Sequence, residues 1–296
     1  MTTSSDAFTR RDSFRVLGAA AVAAATAPTV ALAAEQAEPP KLKGRIKQCC
    51  TRGMFRKMPI DEACRTAKAL GLHGLDLIGK NEWPALKEHG LVASMVHSAG
   101  SIKDGLNNKD KHPEFLKQFR EGIAAAAEFG WKRVITMAGD RKGLTDAEGM
   151  ANCVPVLKEA VKIAADHDVT ICMELLNSKV NHPGYMCDKT AWGVELCKRV
   201  DSPRFKLLYD IYHMQIMEGD VIRTITDNIQ HIGHFHTAGN PGRKDLDEEQ
   251  ELFYPAIMRA IAKLTEEGKY NGYVAHEFGA KKGLDSIRQA IQLCDV

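Results

Sequence analysis

Eight short apolar runs recur along the chain from residue 45 onward, and each is followed by a stretch with amphipathic helical spacing. This alternation of strand and helix signals is typical of an α/β protein with a (β/α)8 TIM barrel. A doubly wound sheet would need a glycine-rich phosphate turn after its first strand, and the GxGxxG motif is absent. The predicted strands occupy residues 45–50, 74–79, 91–98, 133–139, 169–177, 205–212, 231–239 and 272–278.

The helical segments carry their own start and stop signals. Gly71 and Gly90 each follow a predicted helix end, and residues 145–148 (TDAE) have the spacing of a capping box. We expect one TIM barrel over residues 44–296, with a polar loop at 99–112 that is long enough to act as a lid. The predicted helices cover residues 59–70, 81–89, 113–129, 145–166, 188–199, 220–229, 252–264 and 284–293.

The N-terminal segment has the pattern of an export signal. Arg10 and Arg11 precede an Ala-rich apolar run at 16–33 that ends in a small-x-small cleavage site. We therefore expect residues 1–33 to be a twin-arginine signal peptide and residues 34–43 to be a linker. The mature chain would be periplasmic or extracytoplasmic, without stable membrane insertion. An uncleaved anchor is the alternative, although the run is short for a membrane span.

Charge and cysteine content exclude several classes of function. The formal net charge is +2 and Lys and Arg are not clustered, which argues against a nucleic-acid partner. The eight cysteines form no CxxC pair, which argues against a structural zinc site. Because several of them lie in apolar runs, we expect buried free thiols.

Polar residues end four consecutive predicted strands, which are Glu174, Asp210, His236 and Glu277. In a TIM barrel these strand ends meet at the face that carries the active site. Three carboxylates buried at one barrel mouth would each cost several kcal/mol unless a cation balances them. The donor set suits one divalent ion, with Mn²⁺, Mg²⁺, Co²⁺ and Zn²⁺ as the candidates.

Neighbouring polar residues receive different expectations. His234 lies two residues before the histidine ligand and therefore faces the same side of a regular strand, where we expect a core histidine. His276 faces away from Glu277 and is expected to be structural. His213, three residues past Asp210, breaks the strand alternation and is expected on the loop after the strand.

Three stretches resemble a known family. YDIYHMQIMEGD at 209–220, GHFHTAGNPGR at 233–243 and the glutamate of ICMELLN at 171–177 resemble the hydroxypyruvate isomerase branch of the xylose isomerase-like barrels. The resemblance extends over nearly all of the chain after the signal segment. The wider superfamily includes ketose 3-epimerases and apurinic endonucleases.

The resemblance implies specific roles. Glu174, Asp210, His236 and Glu277 would be the metal ligands, and the two glutamates would also transfer protons. The implied reaction is isomerisation of a small hydroxy-carbonyl compound, such as hydroxypyruvate to tartronate semialdehyde, through an enediolate that the metal stabilises. Arg243 and the histidine at 213 would contact substrate oxygens. His97 and His182 are further candidate substrate contacts. The expected partner of the protein is a small hydroxy-carbonyl or sugar substrate, and the chain could assemble as a homo-oligomer.

The departures from the pattern keep alternatives open. His236 stands where hydroxypyruvate isomerases often have Gln and where the epimerases have His. After Arg243 the chain continues KDLDEEQELFY rather than with a Gly-Glu-Pro-Gly stretch. Export also favours sugars as substrates. The main alternative is an exported sugar epimerase, or a lyase acting on a keto sugar, and the weaker ones are an apurinic endonuclease-like enzyme and a non-catalytic sugar-binding barrel.

Overall fold

The computed structural model describes residues 41–296. The predicted signal peptide at 1–33 and most of the predicted linker lie outside the described residues. The last linker residues are docked, because Leu42 packs against the core and the Lys43 amide donates to Asp295 at 2.9 Å. Over the described part of the chain, no helix combines the length and the hydropathy needed to cross a membrane.

The described strands form one parallel sheet in the order β3-β2-β1-β9-β8-β7-β6-β5-β4. Strands that are consecutive in sequence are neighbours in the sheet, except that β3 and β4 lie at its two edges, and the first strand, β1, pairs with the last, β9. This order is that of a TIM barrel, so the predicted fold class is confirmed. The strands are β1 (Gln48–Thr51), β2 (Gly74–Asp76), β3 (Val92–Ala93), β4 (Val96–Ala99), β5 (Arg133–Thr136), β6 (Thr170–Leu175), β7 (Phe205–Asp210), β8 (Ile232–Thr237) and β9 (Val274–His276).

Nine strands appear where eight were predicted because the segment at 91–98 is divided into β3 and β4. Ser94 and Met95 separate the two pieces, yet both keep backbone hydrogen bonds to residues in β2 or just after it. The Ser94 amide donates to the Leu75 carbonyl at 3.1 Å, and the Met95 carbonyl accepts from the Leu77 amide at 2.9 Å. The two pieces therefore act as one interrupted strand that joins the two edges of the sheet.

Eight of the nine α-helices in the described region coincide with a predicted helix. Thr145 forms the expected capping box, since its side chain accepts from the Glu148 amide and the Glu148 side chain accepts from the Thr145 amide. The ninth helix, α6, was not predicted. The helices are α1 (Ile60–Ala69), α2 (Trp83–Glu88), α3 (His112–Glu128), α4 (Asp146–Asp166), α5 (Thr190–Val200), α6 (Ile211–Met217), α7 (Val221–Asn228), α8 (Tyr254–Glu266) and α9 (Leu284–Cys294).

Two hydrophobic clusters support the mouth of the barrel. The larger cluster fills the layer between the sheet and the helices. The smaller one, inside the barrel, consists of Met95, Ile135, Cys172 and Leu208. All eight cysteines are free and buried, as predicted. Because Leu208 points inward, strand alternation aims the residue two positions later, Asp210, at the barrel mouth.

The polar loop at 99–112 is fixed along its second half. Leu106 is fully buried and donates its amide to the Met137 carbonyl at 3.0 Å, while the Asn107 amide donates to Ala138 at 2.9 Å. These bonds attach the loop to the chain that follows β5. The part of the loop near Ile102 is less buried, but the Gly100 amide donates to Gln118 Oε1 at 3.2 Å and Asp104 pairs with Lys142 Nζ at 3.2 Å. The loop is therefore held in both halves, and its role as a lid stays a prediction.

Gly74 gives a test of barrel closure. A Cβ at this position would overlap the carbonyl oxygen of Val92, whereas a Cβ at Gly53 meets no atom closer than 3.8 Å. We predict that Gly74→Ala lowers the free energy of unfolding by about 3 kcal/mol or more, because backbone must move to admit the methyl group. Gly53→Ala should change it by less than about 0.5 kcal/mol. Chemical denaturation of both variants measures this, and equal stabilities would contradict the close approach of β2 and β3.

Candidate metal centre

Four consecutive strands bring four ligand-type side chains together at their C-terminal ends. Glu174 lies in β6, Asp210 is the last residue of β7, His236 lies in β8, and Glu277 directly follows β9. We refer to these four residues as the mouth cluster. One ligand atom from each lies within 4.8 Å of the others. Asp210 and His236 are paired in the β7–β8 ladder, which explains their closeness.

The imidazole of His236 is central to the mouth cluster. Its Nδ1 lies 3.2 Å from Glu174 Oε1 and 2.9 Å from Glu277 Oε2. Glu174 Oε1 and both His236 ring nitrogens are buried and make no well-oriented hydrogen bond. Three carboxylates and one imidazole around a single point, with unsatisfied buried atoms, are the donor set that a divalent cation binds. The residues present therefore fit a metal ion.

The two glutamates of the mouth cluster differ electrostatically. Burial raises the pKa of Glu174, although His236 partly opposes this. Burial also acts on Glu277, but there His236 and Arg243 outweigh it and lower the pKa below its usual value. A pair of carboxyl groups whose pKa values are driven apart suits one proton donor and one proton acceptor.

Arg243 reaches the mouth cluster from the loop after β8. It adopts a left-handed backbone conformation with φ of 53°. One guanidinium nitrogen donates to Asp210 Oδ2 at 3.1 Å and to Glu277 Oε2 at 2.7 Å. The guanidinium also lies 5.7 Å from the centre of the Tyr212 ring. Arg243 is therefore the cation that partly neutralises the cluster carboxylates in this structure.

His213 lies in the first turn of α6, so the expectation that it sits on a loop was wrong. Asp210 caps this helix by accepting from the His213 amide at 3.2 Å, which lets the helix begin where β7 ends. The ring Nδ1 accepts from the Asn177 amide at 3.1 Å. The ring proton is therefore on Nε2, which is buried without a partner and lies 3.7 Å from Asp210 Oδ2.

The other two predicted substrate contacts have different surroundings. His182, on the loop after β6, has its ring centre 5.3 Å from that of His213. His97, in β4, is exposed and borders a cavity of about 460 Å³ together with Thr136 and Met137. His182 is thus a neighbour of the site, whereas His97 is on the same rim but outside the mouth cluster.

Asp76 is a site residue that the sequence analysis missed. It is fully buried at the end of β2, where Asp76, His234 and His236 form a second group of potential ligands. We call these three residues the inner group. The predicted strand ran on to residue 79, which made Asp76 look internal to the strand. Since β2 ends at Asp76, the strand-end rule that found the mouth cluster would have found this residue too.

His234 and His276 are both buried, as expected, but have different surroundings. The His234 Nε2 lies 2.7 Å from Asp76 Oδ2, so this histidine belongs to the inner group. The two ring nitrogens of His276 lie 2.8 Å from Thr237 Oγ1 and 3.0 Å from Gln48 Oε1. His276 therefore has partners outside both groups.

The acidic segment after Arg243 is anchored to the loop between β9 and α9. Asp245 is buried and accepts from the Lys281 amide at 2.9 Å and from Ser286 Oγ at 2.7 Å. The Lys281 Nζ lies 3.1 Å from Asp247 and 2.7 Å from Glu249. The segment thus holds the Arg243 loop against the chain that follows Glu277.

Comparison with known proteins agrees with this architecture. The chain matches the xylose isomerase-like TIM barrel model over residues 63–295. It is 31% identical over 204 residues to 2-oxo-tetronate isomerase of Cupriavidus necator, which covers 67% of this chain and 76% of that protein. It is 30% identical over 167 residues to hydroxypyruvate isomerase of Escherichia coli K12, which covers 55% of this chain and 62% of that protein.

A solved structure shows the same fold. The crystal structure of AP endonuclease, family 2, from Brucella melitensis superposes with a TM-score of 0.72 at 26% identity, and the match covers 82% of this chain and 95% of that one. The barrel and its mouth define a TIM-barrel enzyme of the isomerase class. The chain belongs to the xylose isomerase-like TIM barrel family.

We predict that His213 stays neutral well below the usual range of histidine. Burial lowers the pKa of its imidazole from 6.5 to about 4, with Asp210 opposing. Between these two pH values the unfolded chain binds a proton that the folded chain does not, so folding stability falls as the pH drops through this window. Nitrogen NMR of histidine-labelled protein should show the Nε2–H form of His213 at pH 5.

The same argument predicts a smaller acid sensitivity for His213→Gln. Between pH 7 and pH 5 the wild type should lose up to about 1.4 kcal/mol per pH unit more unfolding free energy than the variant. Equal losses in both proteins, or a His213 ring that titrates near pH 6.5, would contradict the assignment.

Proposed function

We propose that this chain is a divalent-metal-dependent isomerase of a small hydroxy-carbonyl acid, with hydroxypyruvate-like 2-oxo acids as the substrate class. The observation that carries the proposal is the mouth cluster, in which two glutamates flank His236 Nδ1 at 3.2 Å and 2.9 Å. The names of the two curated relatives, a 2-oxo-tetronate isomerase and a hydroxypyruvate isomerase, support the substrate class.

All four members of the mouth cluster would hold the cation, through three carboxylates and the Nδ1 of His236. When bound, a divalent ion supplies Lewis-acid stabilisation of the negative charge that develops on the substrate oxygens. Mn²⁺, Mg²⁺, Co²⁺ and Zn²⁺ all accept this oxygen-rich set.

Glu174 and Glu277 would carry the proton transfer. Isomerisation removes a proton from the carbon beside a carbonyl and delivers a proton to the former carbonyl carbon, so it needs one base and one acid. The positions of the two glutamates on either side of His236 Nδ1, at 3.2 Å and 2.9 Å, support this pairing of one acid with one base. One turnover leaves the base protonated and the acid deprotonated, so the base must release its proton to solvent and the acid must regain one before the next cycle, while the hydroxyl proton passes to the former carbonyl oxygen.

Arg243 and His213 would bind and orient the substrate. With Asp210 and Glu277 neutralised by a cation, the Arg243 guanidinium becomes free to hold a substrate carboxylate through two hydrogen bonds. The His213 Nε2–H is buried, unpartnered and close to Asp210, so it is available to donate to a substrate hydroxyl or carbonyl. Since a neutral imidazole donates without adding charge, it orients the substrate without competing for the cation site.

A keto-sugar epimerase is the second candidate. The imidazole of His236 at the third ligand position favours it, because glutamine is frequent there in hydroxypyruvate isomerases. The twin-arginine pattern around Arg10 and Arg11, from which we propose export, is consistent with a sugar substrate.

A nuclease function has less support despite the fold shared with the Brucella protein. A cluster of several metal ions would need more ligands than the described residues bring together, namely the mouth cluster and an inner group that shares His236 with it. The net charge of +2 also offers little attraction for a phosphate backbone.

We predict that chelation abolishes isomerase activity and lowers thermal stability, because three carboxylates then lose their cation. Mature protein should be stripped, reloaded with each candidate ion, and incubated with hydroxypyruvate, 2-oxo-tetronate and 3-keto sugars in deuterium oxide. NMR then reports the product and the incorporated deuterium. Turnover of 2-oxo acids supports the leading proposal, turnover of keto sugars alone supports the second, and full activity of the stripped protein contradicts both.

We predict that Glu277→Gln reduces turnover by about 10²- to 10⁴-fold, the usual contribution of a general acid or base, while the fold is retained. Glu195→Gln is the matched control, because Glu195 pairs with Arg199 at 2.7 Å on the outer helix α5 and lies outside the mouth cluster. The rates of both variants are compared on the best substrate with saturating metal. Wild-type turnover in Glu277→Gln would remove this residue from the proton transfer.

A further inference from the structure

Asp76 is a carboxylate sealed inside the barrel below the mouth cluster, and the proposed reaction gives it no role. It is fully buried and accepts from Ser94 Oγ at 2.8 Å. Its only cationic or potentially cationic contacts in the described chain are the two histidines of the inner group. An unpaired charge in such a position costs several kcal/mol, so the histidines account for its ionised state.

The two oxygens of Asp76 face different histidines. Oδ2, which also takes the Ser94 hydroxyl, lies 2.7 Å from His234 Nε2. Oδ1 makes no well-oriented hydrogen bond among the described residues and lies 3.5 Å from His236 Nε2. That separation is at the long end for a hydrogen bond, and such bonds tighten when the site is filled.

His236 therefore has one ring nitrogen in each group. Its Nδ1 faces Glu174 and Glu277, and its Nε2 faces Asp76. When Nδ1 donates its lone pair to a cation, the remaining ring proton must be on Nε2. Among the described residues, Asp76 is the acceptor within reach of that proton.

We infer that Asp76 is a positioning residue, which holds His236 in its Nε2–H form so that Nδ1 is presented to the ion in the mouth cluster. This inference rests on the proposed metal-dependent function. A carboxylate behind a ligating histidine fixes the ring orientation and increases its basicity. Ser94 and His234 hold Asp76 in turn, and they leave Oδ1 free for His236.

The first test measures metal binding rather than activity. Binding of Mn²⁺ and Co²⁺ to stripped protein is followed by titration calorimetry for the wild type and for Asp76→Asn. The substitution keeps the shape of the side chain and removes its charge. We expect the dissociation constant to rise about 10- to 100-fold, the usual effect of losing such a partner.

Asp188→Asn is the matched control. Asp188 is also a buried carboxylate, with Arg141 at 3.2 Å and Ser178 Oγ at 2.5 Å, and it belongs to neither group. We expect this variant to bind the ions as the wild type does. Metal affinity lost equally in both variants, or in neither, overturns the positioning role, whereas a wild type that binds no ion refutes the proposed function instead.

A second measurement uses the unmodified chain and does not depend on whether Asp76→Asn folds. Nitrogen NMR of histidine-labelled, Zn²⁺-loaded protein should show the ring proton of His236 on Nε2, with Nδ1 bearing the metal-induced shift. Metal analysis should give one ion per chain. A proton on Nδ1 overturns the inference. A second ion bound at the inner group overturns it too, because that cation would then occupy the place of the proton between Asp76 and His236.

Discussion

The concentration of negative charge at the barrel mouth governs the rest of this structure. Glu174, Asp210 and Glu277 all approach one imidazole, and the first two are almost fully buried. Mutual repulsion in a medium of low dielectric constant would push such groups apart or protonate them. Arg243 and His236 provide the compensation that the described chain itself supplies. The loop after β8 brings Arg243 to the cluster, and β8 itself holds His236.

The strands of the barrel hold the three carboxylates close together despite their repulsion. Each carboxylate stands at the end of a strand whose backbone is bonded on both sides, so repulsion is resisted by the whole sheet rather than by a loop. Leu208 and Cys172 fill the interior beneath, which keeps water from reaching the charges from below. The capping bond from the His213 amide to Asp210 adds a further constraint on one of the three.

Much of the fold and most of the proposed site could be predicted, because strand periodicity and strand ends are local properties of the sequence. The eight strand segments and the positions of Glu174 and His236 follow from short stretches of residues. The helix at Ile211–Met217 could not be predicted in this way. It begins within an apolar run that reads as strand, and its start depends on the capping geometry of Asp210.

Asp76 was missed for a related reason. The apolar run at 74–79 continues beyond the last ladder bond, since β2 ends where the neighbouring strand is interrupted at Ser94 and Met95. Only the pairing of strands, which is a long-range property, shows where the strand ends. Which ring nitrogen of His236 faces which carboxylate is likewise set by the packing of four strands, β2, β6, β8 and β9, and not by local sequence.

The bridge made by Lys281 has a mechanical consequence. It joins the segment after Arg243, through Asp247 and Glu249, to the loop that follows Glu277. The segment after Arg243 and the loop after Glu277 are therefore coupled and would shift together rather than separately. Because the Glu249 end of the bridge is open to solvent, dissolved salt would weaken this ion pair, while the buried Asp245 bonds to Lys281 and Ser286 would keep the two segments joined.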